Sequence, residues 1–553
     1  MYKFVRYTII LLFLFAKVVL FSQNSTTNIP PSFAKERLSM YIPAIKLAAI
    51  DEEILFREDD ENEKMGNPMR LAIFQPVHYT MDNGGRVDSF PDGSRIWRIS
   101  LHAPGALAMT VHLANLNIPK EAEIYIYDPS RTTILGKYSI HDSSFIMNNG
   151  DFLSQELLSE ELILEYYEPA NSAFRGSFTI ANIGHFYRKS PVVTKGEHGN
   201  AKGKCHIDVT CQEGQGWQPQ IDASVFITIT VTQGAQAGIY LCSGSMINNT
   251  RQDKTPYVLT ANHCDVEGAA STFKFYFQYQ ANACKSTTGF AGYVVNGADI
   301  MARGDDKSSS DFMLLQIKGA IPDHVKNTLY FAGWDASSSK PSVGLCIHYP
   351  SADYKKISIP ASLYNETRYP RMWGARWKLG INNQGTTEGG SSGAPLFNAE
   401  KRIVGQLYGG TSSCSDQNGA DFFGKLSYSW TNNNSQNTAK KLKPWLDPDN
   451  TGKLAMNGIY YYDSIRIDTP QVVKPILKIF PNPSIGSVIL NGDFKTNIVK
   501  CIITDLLGRV IFEEEVEAAT EIPLDLEFLQ TGIYILKIED GTDIQSAKLV
   551  ISK

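Results

Sequence analysis

Short apolar runs separated by Gly, Pro, Asn and Asp recur along almost the whole chain. RIWRISLHA (95–103), ALAMTVHLANLNI (106–118), EIYIYD (123–128), LILEYYEP (162–169) and SFTIANIGHFY (177–187) are rich in β-branched and aromatic residues and bounded by turn formers. Runs of this kind suit a pleated, half-buried surface and read as strands. The same punctuation governs SVFITITVT (224–232), GIYLCSGSMI (238–247), YVLTA (257–261), FKFYFQYQ (273–280), FMLLQI (312–317), RIVGQLYGG (402–410) and DFFGKLSYSW (421–430). A third set, from ILKIFPNPS (476–484) to QSAKLVISK (545–553), predicts a small seven-stranded sandwich. The pattern as a whole predicts an all-β protein of barrels or sandwiches. Two stretches depart from it. The polar, acidic segment up to about residue 67 is expected to be partly helical. AKKLKPWLDP (439–448) predicts a short helix closed by Pro448 and weakened by Pro444.

The first residues follow another rule. MYKFVRYTIILLFLFAKVVLFSQN places cationic Lys3 and Arg6 before an apolar core, with Ser22 ahead of Gln23. This is the layout of a secretory signal peptide over residues 1–22. Lys17 shortens the uninterrupted apolar run, which disfavours a membrane-spanning helix. Export makes disulfides possible. All eight cysteines follow residue 204, and all but Cys501 fall between Cys205 and Cys414. No CxxC pair is present, so disulfides are the better reading than zinc, and neither a metal site nor a cofactor is expected. The division that follows is a pro-region over 23–202, a cysteine-bearing domain over 203–458, a linker over 459–474 and a terminal module over 475–553. SPVVTKGEHGNAKGK (190–204) is Gly-rich and polar, as an exposed connector would be. With 43% hydrophobic and 20% charged residues and a net charge of −5, the composition is ordinary for globular protein. Lys and Arg are scattered, which excludes a nucleic-acid surface as the leading reading. His78 and His185 in the first region read as structural or surface residues.

Chemistry concentrates in the cysteine-bearing domain. GTTEGGSSGAPLF (385–397) sets Ser392 among glycines that let the backbone turn its N–H groups toward a substrate carbonyl. VLTANHCD places His263 at the end of an apolar strand, and SSSDFMLLQI places Asp311 at the start of another. The order His, Asp, Ser is that of the chymotrypsin arrangement. In that reading His263 takes the Ser392 proton, Asp311 orients the imidazole, and the N–H groups of Gly390 and Ser392 form an oxyanion hole.

With these motifs, CHIDVTCQEG, CSGSMINNT, YVLTANHC, SDFMLLQI, AGWD, EKRIVGQLYGG, SSCS and WLDP make residues 205–458 resemble the lysyl endopeptidases, secreted trypsin-fold serine proteases. The resemblance implies a chymotrypsin-like double β-barrel with the site in the cleft between barrels. Six cysteines allow fifteen pairings; the resemblance implies Cys205–Cys414, Cys211–Cys284 and Cys242–Cys264, leaving Cys346 as a buried thiol. Cys501 is also expected to be buried and free. The position six before the nucleophile, where a trypsin-like pocket carries its acid, is Thr386. Glu388, Asp416 and Asp421 are the candidate acids, and DFFGK matches the family's acid-bearing string at Asp421. Asp421 is thus expected at the base of the S1 pocket, with Gly409 and Gly410 as its wall. Tyr408 stands beside the cleft where the family has histidine, and a tryptophan of that family's active site has no clear counterpart here. Ser391 replaces the aspartate that pairs with the new N-terminal amine in trypsin-like zymogens, so activation by N-terminal insertion is not expected. The pro-region is expected to assist folding and block the cleft, with self-cleavage after Lys195, Lys202 or Lys204.

FPNPSIG, DLLGR, LQTGIYILKI and the terminal KLVISK resemble type IX secretion C-terminal sorting domains. That implies export to the outside or the cell surface, with the secretion machinery as a partner. The expected substrates are proteins or peptides, and the expected state is a monomer. Two readings compete with lysine preference: an Arg- or Glu-preferring endopeptidase of the same fold, and a catalytically silent surface adhesin. The GQLYGG segment lacks the His that a Glu-binding pocket needs.

Overall fold

Strands dominate, as the patterning requires. The computed structural model describes residues 29–64 apart from 36, 37, 39 and 40; 67–188 apart from 141–145, 148 and 149; 205–462 apart from 235, 291, 343, 378–384, 415–418 and 433; and 478–553 apart from 492, 493, 495, 506–508, 520 and 542. The signal segment, the connector with Lys195, Lys202 and Lys204, and most of the 459–474 linker lie outside the described residues. Among the described residues, no helix is long and apolar enough to cross a membrane. The chain forms two units, Met1–Asp463 and Ser464–Lys553.

In the first unit, the N-terminal region is a sandwich. Arg95–His102, Glu161–Glu168 and Glu123–Tyr127 pair antiparallel in one sheet. Met69–Tyr79, Ser177–Phe186 and Ala108–Asn117 pair antiparallel in the other. Trp97, Ile99, Val111, Leu113, Leu164 and Ile183 belong to one buried core. The acidic segment before them forms the helix Glu52–Lys64. Its buried Asp59 accepts hydrogen bonds from Arg70 Nε (2.9 Å), Tyr187 Oη (2.7 Å) and Arg188 Nη2 (3.0 Å). A buried carboxylate needs such partners, and here they tie the helix to Met69–Tyr79 and to the end of Ser177–Phe186.

The cysteine-bearing part holds two further barrels. Ser224–Val231 pairs with Gly238–Met246 and with Lys274–Phe277. The sheet continues through Tyr257–Ala261, Phe312–Ile317 and Ala298–Gly304. The second barrel contains Lys356–Ser358, Leu345–His348, Pro395–Phe397, Ile403–Gly410, Asp421–Lys425, Met372–Trp377 and Pro360–Asn365, each paired antiparallel with the next. Trp373, Trp377, Leu396, Leu407 and Phe423 fill its core. The fold is all-β and chymotrypsin-like. Lys443–Leu446 is the short helix near the end; Pro444 sits in its first turn, where a missing N–H removes no helical bond.

The two regions share a sheet. Met69–Tyr79 pairs antiparallel with Gly238–Met246, setting Ile73 opposite Gly238, Ala72 opposite Ile239 and Met69 opposite Leu241. Leu71, Phe74 and Phe186 enter one core with Phe226, Leu241 and Tyr349. A free edge strand carries unpaired N–H and C=O groups, and the N-terminal region covers this one. A division at residue 202 therefore cuts across one continuous sheet. The second unit is by itself, among the described residues, a seven-stranded sandwich, three strands facing four. Leu490, Val499, Ile503, Leu536 and Leu549 lie in its core with the free thiol Cys501.

Candidate active site

The pairing of Tyr257–Ala261 with Phe312–Ile317 places Ala261 opposite Phe312. His263, just past one strand, therefore meets Asp311, just before the other. His263 Nδ1 lies 2.7 Å from Asp311 Oδ2, and the His263 N–H donates to Oδ1 at 3.0 Å. Asp311 has a left-handed backbone, φ 54°, a conformation that clusters at functional sites when the surroundings enforce it. Gln406 Nε2 contributes to that enforcement by donating to the carbonyls of Ser310 (2.7 Å) and Asp311 (3.2 Å). Burial works against a charged imidazole at His263, but the attraction and hydrogen bond of Asp311 outweigh it and hold the ring above its ordinary 6.5.

Ser392 is delivered by the loop before Pro395–Phe397. Its carbonyl accepts from Ser243 N at 2.7 Å, and Gly393 N donates to Leu407 O at 2.8 Å. Gly393 has φ +80°, and a Cβ there would stand 2.1 Å from Thr260 Oγ1 and 2.7 Å from Ala261 N. Glycine is thus what lets the serine loop approach the strand that carries His263. Among the described residues Ser392 Oγ makes no hydrogen bond to His263; such contacts are often long without substrate and tighten with it. Gly390 is the other required glycine: φ is +88° and a Cβ would meet Leu241 Cδ2 at 2.4 Å. Its carbonyl accepts from Ser243 Oγ at 2.9 Å. Among the described residues, the N–H groups of Gly390 and Ser392 donate to no protein acceptor. They remain available to a substrate oxygen.

Asp421 is buried at the start of Asp421–Lys425. Its carboxylate accepts from Trp377 Nε1 at 2.6 Å and from the hydroxyls of Thr387 and Ser412. Burial raises its pKa above the usual carboxylate value against the pull of these donors. Gly410 lies opposite Asp421 in register, and a Cβ there would stand 2.0 Å from Asp421 Oδ1; a Cβ on Gly409 would meet nothing within 4 Å. Buried Thr386 donates to Ser412 Oγ at 2.8 Å. Tyr408 sets its ring edge-on to His263 at 6.0 Å, with its hydroxyl 3.3 Å from Asp306 Oδ2. Of the other candidate acids, Glu388 turns to Ser351 Oγ (3.0 Å) and His206 Nε2 (3.3 Å), and Asp416 lies outside the described residues. Sequence reasoning missed Trp377, Thr387 and Ser412. Thr387 adjoins a motif already singled out, but Trp377 reaches Asp421 only because Met372–Trp377 pairs with Asp421–Lys425.

Three disulfides form in the cysteine-bearing part: Cys205–Cys414, Cys211–Cys284 and Cys242–Cys264. The last ties the Gly238–Met246 strand to the residue after His263. Cys346 is buried and free. Cys205, His206 and Cys414, and likewise Cys242, His263 and Cys264, are close enough to suggest metal ligands, but both cysteines of each group are committed to a disulfide. The N-terminal region also reaches this loop. A Cβ on Gly389 would stand 2.6 Å from Glu63 Oε2, so the end of the helix Glu52–Lys64 abuts the segment between Glu388 and Ser392.

Comparison with known proteins agrees with this geometry in the same part of the chain. Residues 199–424 match the family described as lysyl endopeptidase, C-terminal domain, and residues 478–552 match the secretion system C-terminal sorting domain. A lysyl endopeptidase of Pseudomonas aeruginosa is 28% identical over 227 residues, covering 39% of this chain and 47% of that protein. The chain thus spans about half the length of this curated relative. Among solved structures, neuropsin, a serine protease of mouse brain, is 16% identical over 41% of this chain and 98% of its own, with a TM-score of 0.27. A mutant of human heparin binding protein is 14% identical over 40% and 96%, with a TM-score of 0.28. The middle of the chain is lysyl endopeptidase-like, and the sorting domain at its end implies secretion or a place at the cell surface.

Proposed function

We propose that this chain is the precursor of a secreted serine endopeptidase that cleaves on the carboxyl side of lysine. The observation that carries the reading is the His263–Asp311 pair beside a serine loop with two unused N–H groups. His263 is the general base that takes the Ser392 proton as Oγ attacks the scissile carbonyl. Asp311 accepts from Nδ1 and stabilises the imidazolium. The N–H groups of Gly390 and Ser392 receive the developing oxyanion, each donor contributing on the order of 10²–10³ in rate. His263 then protonates the leaving amine, and water hydrolyses the acyl-enzyme by the same steps. The match to lysyl endopeptidases and the buried carboxylate of Asp421 support lysine at P1, since an ammonium entering between Gly409 and Gly410 meets a negative group. A negative pocket base disfavours a Glu-preferring enzyme, and arginine is the remaining same-fold alternative.

In this reading residues 1–22 direct export and are removed, residues 23–202 act as the pro-region, and 475–553 engage the secretion machinery. The sheet shared by Met69–Tyr79 and Gly238–Met246, with Glu63 against Gly389, supports a pro-region that both templates the first barrel and covers the serine loop. The mature enzyme acts as a monomer on proteins or peptides and needs no cofactor. A fluorophosphonate probe combined with a P1 peptide library tests the reading: an endopeptidase labels and releases lysyl products, whereas a silent adhesin does neither.

The pH profile gives a second check. Catalysis needs His263 neutral, and Asp311 holds its pKa above 6.5. Activity is therefore lost as pH falls through that raised value. The acid limb of kcat/KM is expected above pH 6.5. A limb at or below that value would contradict the coupling of His263 to Asp311.

A further inference from the structure

The residue before Ser392 is held by a histidine that the chemistry does not use. His348, at the end of Leu345–His348, is completely buried. Its Nδ1 lies 2.7 Å from Ser391 Oγ and its Nε2 lies 2.8 Å from Ser358 Oγ. The neighbours decide where the protons sit. Ser358 Oγ donates its one proton to the Thr386 carbonyl at 2.7 Å, so it accepts from His348, and the ring proton is on Nε2. Nδ1 is then an acceptor, and the Ser391 hydroxyl donates to it. Ser391 Oγ in turn accepts the Glu388 N–H at 3.3 Å. Burial, reinforced by nearby His206 and Lys356, keeps His348 well below the ordinary histidine range and therefore neutral, the form this proton order requires. The series continues through Thr386, whose hydroxyl donates to Ser412 Oγ, which donates to Asp421. Two runs of hydrogen bonds, linked covalently through Thr386, thus join the residue before the nucleophile to the acid assigned to the S1 pocket.

We propose that His348 is a positioning residue: by fixing Ser391 it sets the peptide units that aim Ser392 and the two oxyanion donors, and it couples them to Asp421. The proposal rests on the endopeptidase reading above. Beyond the Glu388 carboxylate at its start, which meets Ser351 Oγ and His206 Nε2, residues 389–391 are otherwise held through their backbone: Gly389 O accepts from Ser351 N (2.7 Å), Gly390 O from Ser243 Oγ (2.9 Å), and Ser391 N donates to Glu388 O (3.0 Å). Ser391 supplies the side-chain anchor. This anchor is a neutral hydrogen bond already complete in the uncleaved chain, so it needs no new N-terminal amine. Loss of the imidazole frees the Ser391 hydroxyl to seek another partner and lets the N–H groups of Gly390 and Ser392 drift from the substrate oxygen.

The test uses the full chain matured as the wild type is. For His348→Ala, kcat on a lysyl peptide is expected to fall by about 10- to 100-fold with KM within about threefold, because a displacement of about 1 Å costs on that order. The rate of fluorophosphonate labelling should fall by the same factor, since labelling needs Ser392 and the oxyanion donors but no lysine. His348→Gln, which offers one donor and one acceptor in a similar relation, should return both rates to within roughly threefold of wild type. If His348→Ala does not accumulate, Ser391→Ala removes the same bond from its other end and carries the same expectation. The double variant should be no worse than the poorer single one, as expected for one shared interaction. Wild-type labelling together with equally fast labelling of His348→Ala overturns this proposal alone. A wild type that does not label overturns the endopeptidase reading, and this proposal with it. A Gln variant with wild-type thermal stability but no recovered rate also overturns it, because restoring the donor and acceptor would then not restore the aim of the loop.

Discussion

Ser392→Ala is expected to lower kcat by about 10⁶-fold and to abolish fluorophosphonate labelling. The size follows from how the parts act together. Without the hydroxyl there is no covalent intermediate, and His263 has no proton to take. What survives is the oxyanion pair and substrate binding, which in such sites leave a residual acceleration over water of about 10³–10⁴. Peptide hydrolysis at saturating substrate measures the loss. Thermal unfolding should barely move, because the contacts that hold this residue come from its backbone: its carbonyl accepts from Ser243 N, and alanine keeps it. Substitutions of this kind usually stay within about 0.5 kcal/mol. The same variant reads out maturation. If the connector is cut by the enzyme itself after Lys195, Lys202 or Lys204, the full-length precursor should accumulate. Normal processing of Ser392→Ala would assign the cut to another protease. Activity retained by the variant would sink the nucleophile assignment outright.

The second large effect is expected at the pocket base. Asp421→Asn keeps the shape of a fully buried side chain and removes its charge. The donors Trp377, Thr387 and Ser412 already surround the carboxylate, so the asparagine amide also meets a site built of donors. A substrate ammonium would then be buried without a partner. Breaking a buried charge pair costs about 3–5 kcal/mol, which corresponds to roughly 10² to 4 × 10³ in kcat/KM for lysyl substrates. Substrates with a neutral P1 residue should change far less, so the preference for lysine should collapse. A P1 library measured on both proteins decides it, and an unchanged lysine preference would remove Asp421 from the pocket. Labelling by the fluorophosphonate probe should persist, since the reagent does not need the ammonium, and this separates a specificity defect from a folding defect.

His263, Asp311 and Ser392 could be singled out in the sequence as candidates because each adjoins a strand with a strong apolar pattern, and their order along the chain is itself informative. Gly390 and Gly393 were legible as a glycine-rich loop, since a positive φ is a local property of the chain. The seven strands of the terminal module followed from turn spacing for the same reason. Asp421 was reached through a family string and not from local physics. His348, Ser358, Thr387, Ser412 and Trp377 carried no such mark: each is an ordinary polar or aromatic residue in or near a strand. An alternating pattern says which face a side chain takes, but not which strand will lie beside it. The contact across the connector shows the same limit. A Gly- and Lys-rich stretch reads as a connector from composition, but nothing in it says that Met69–Tyr79 before it will pair with Gly238–Met246 after it. What the sequence determined by itself was local conformation and which residues stand as candidates for chemistry, since both depend on neighbours along the chain. The tertiary structure alone decided the donors around Asp421, the support behind Ser391 and the shared sheet, because each depends on contacts between segments far apart in sequence.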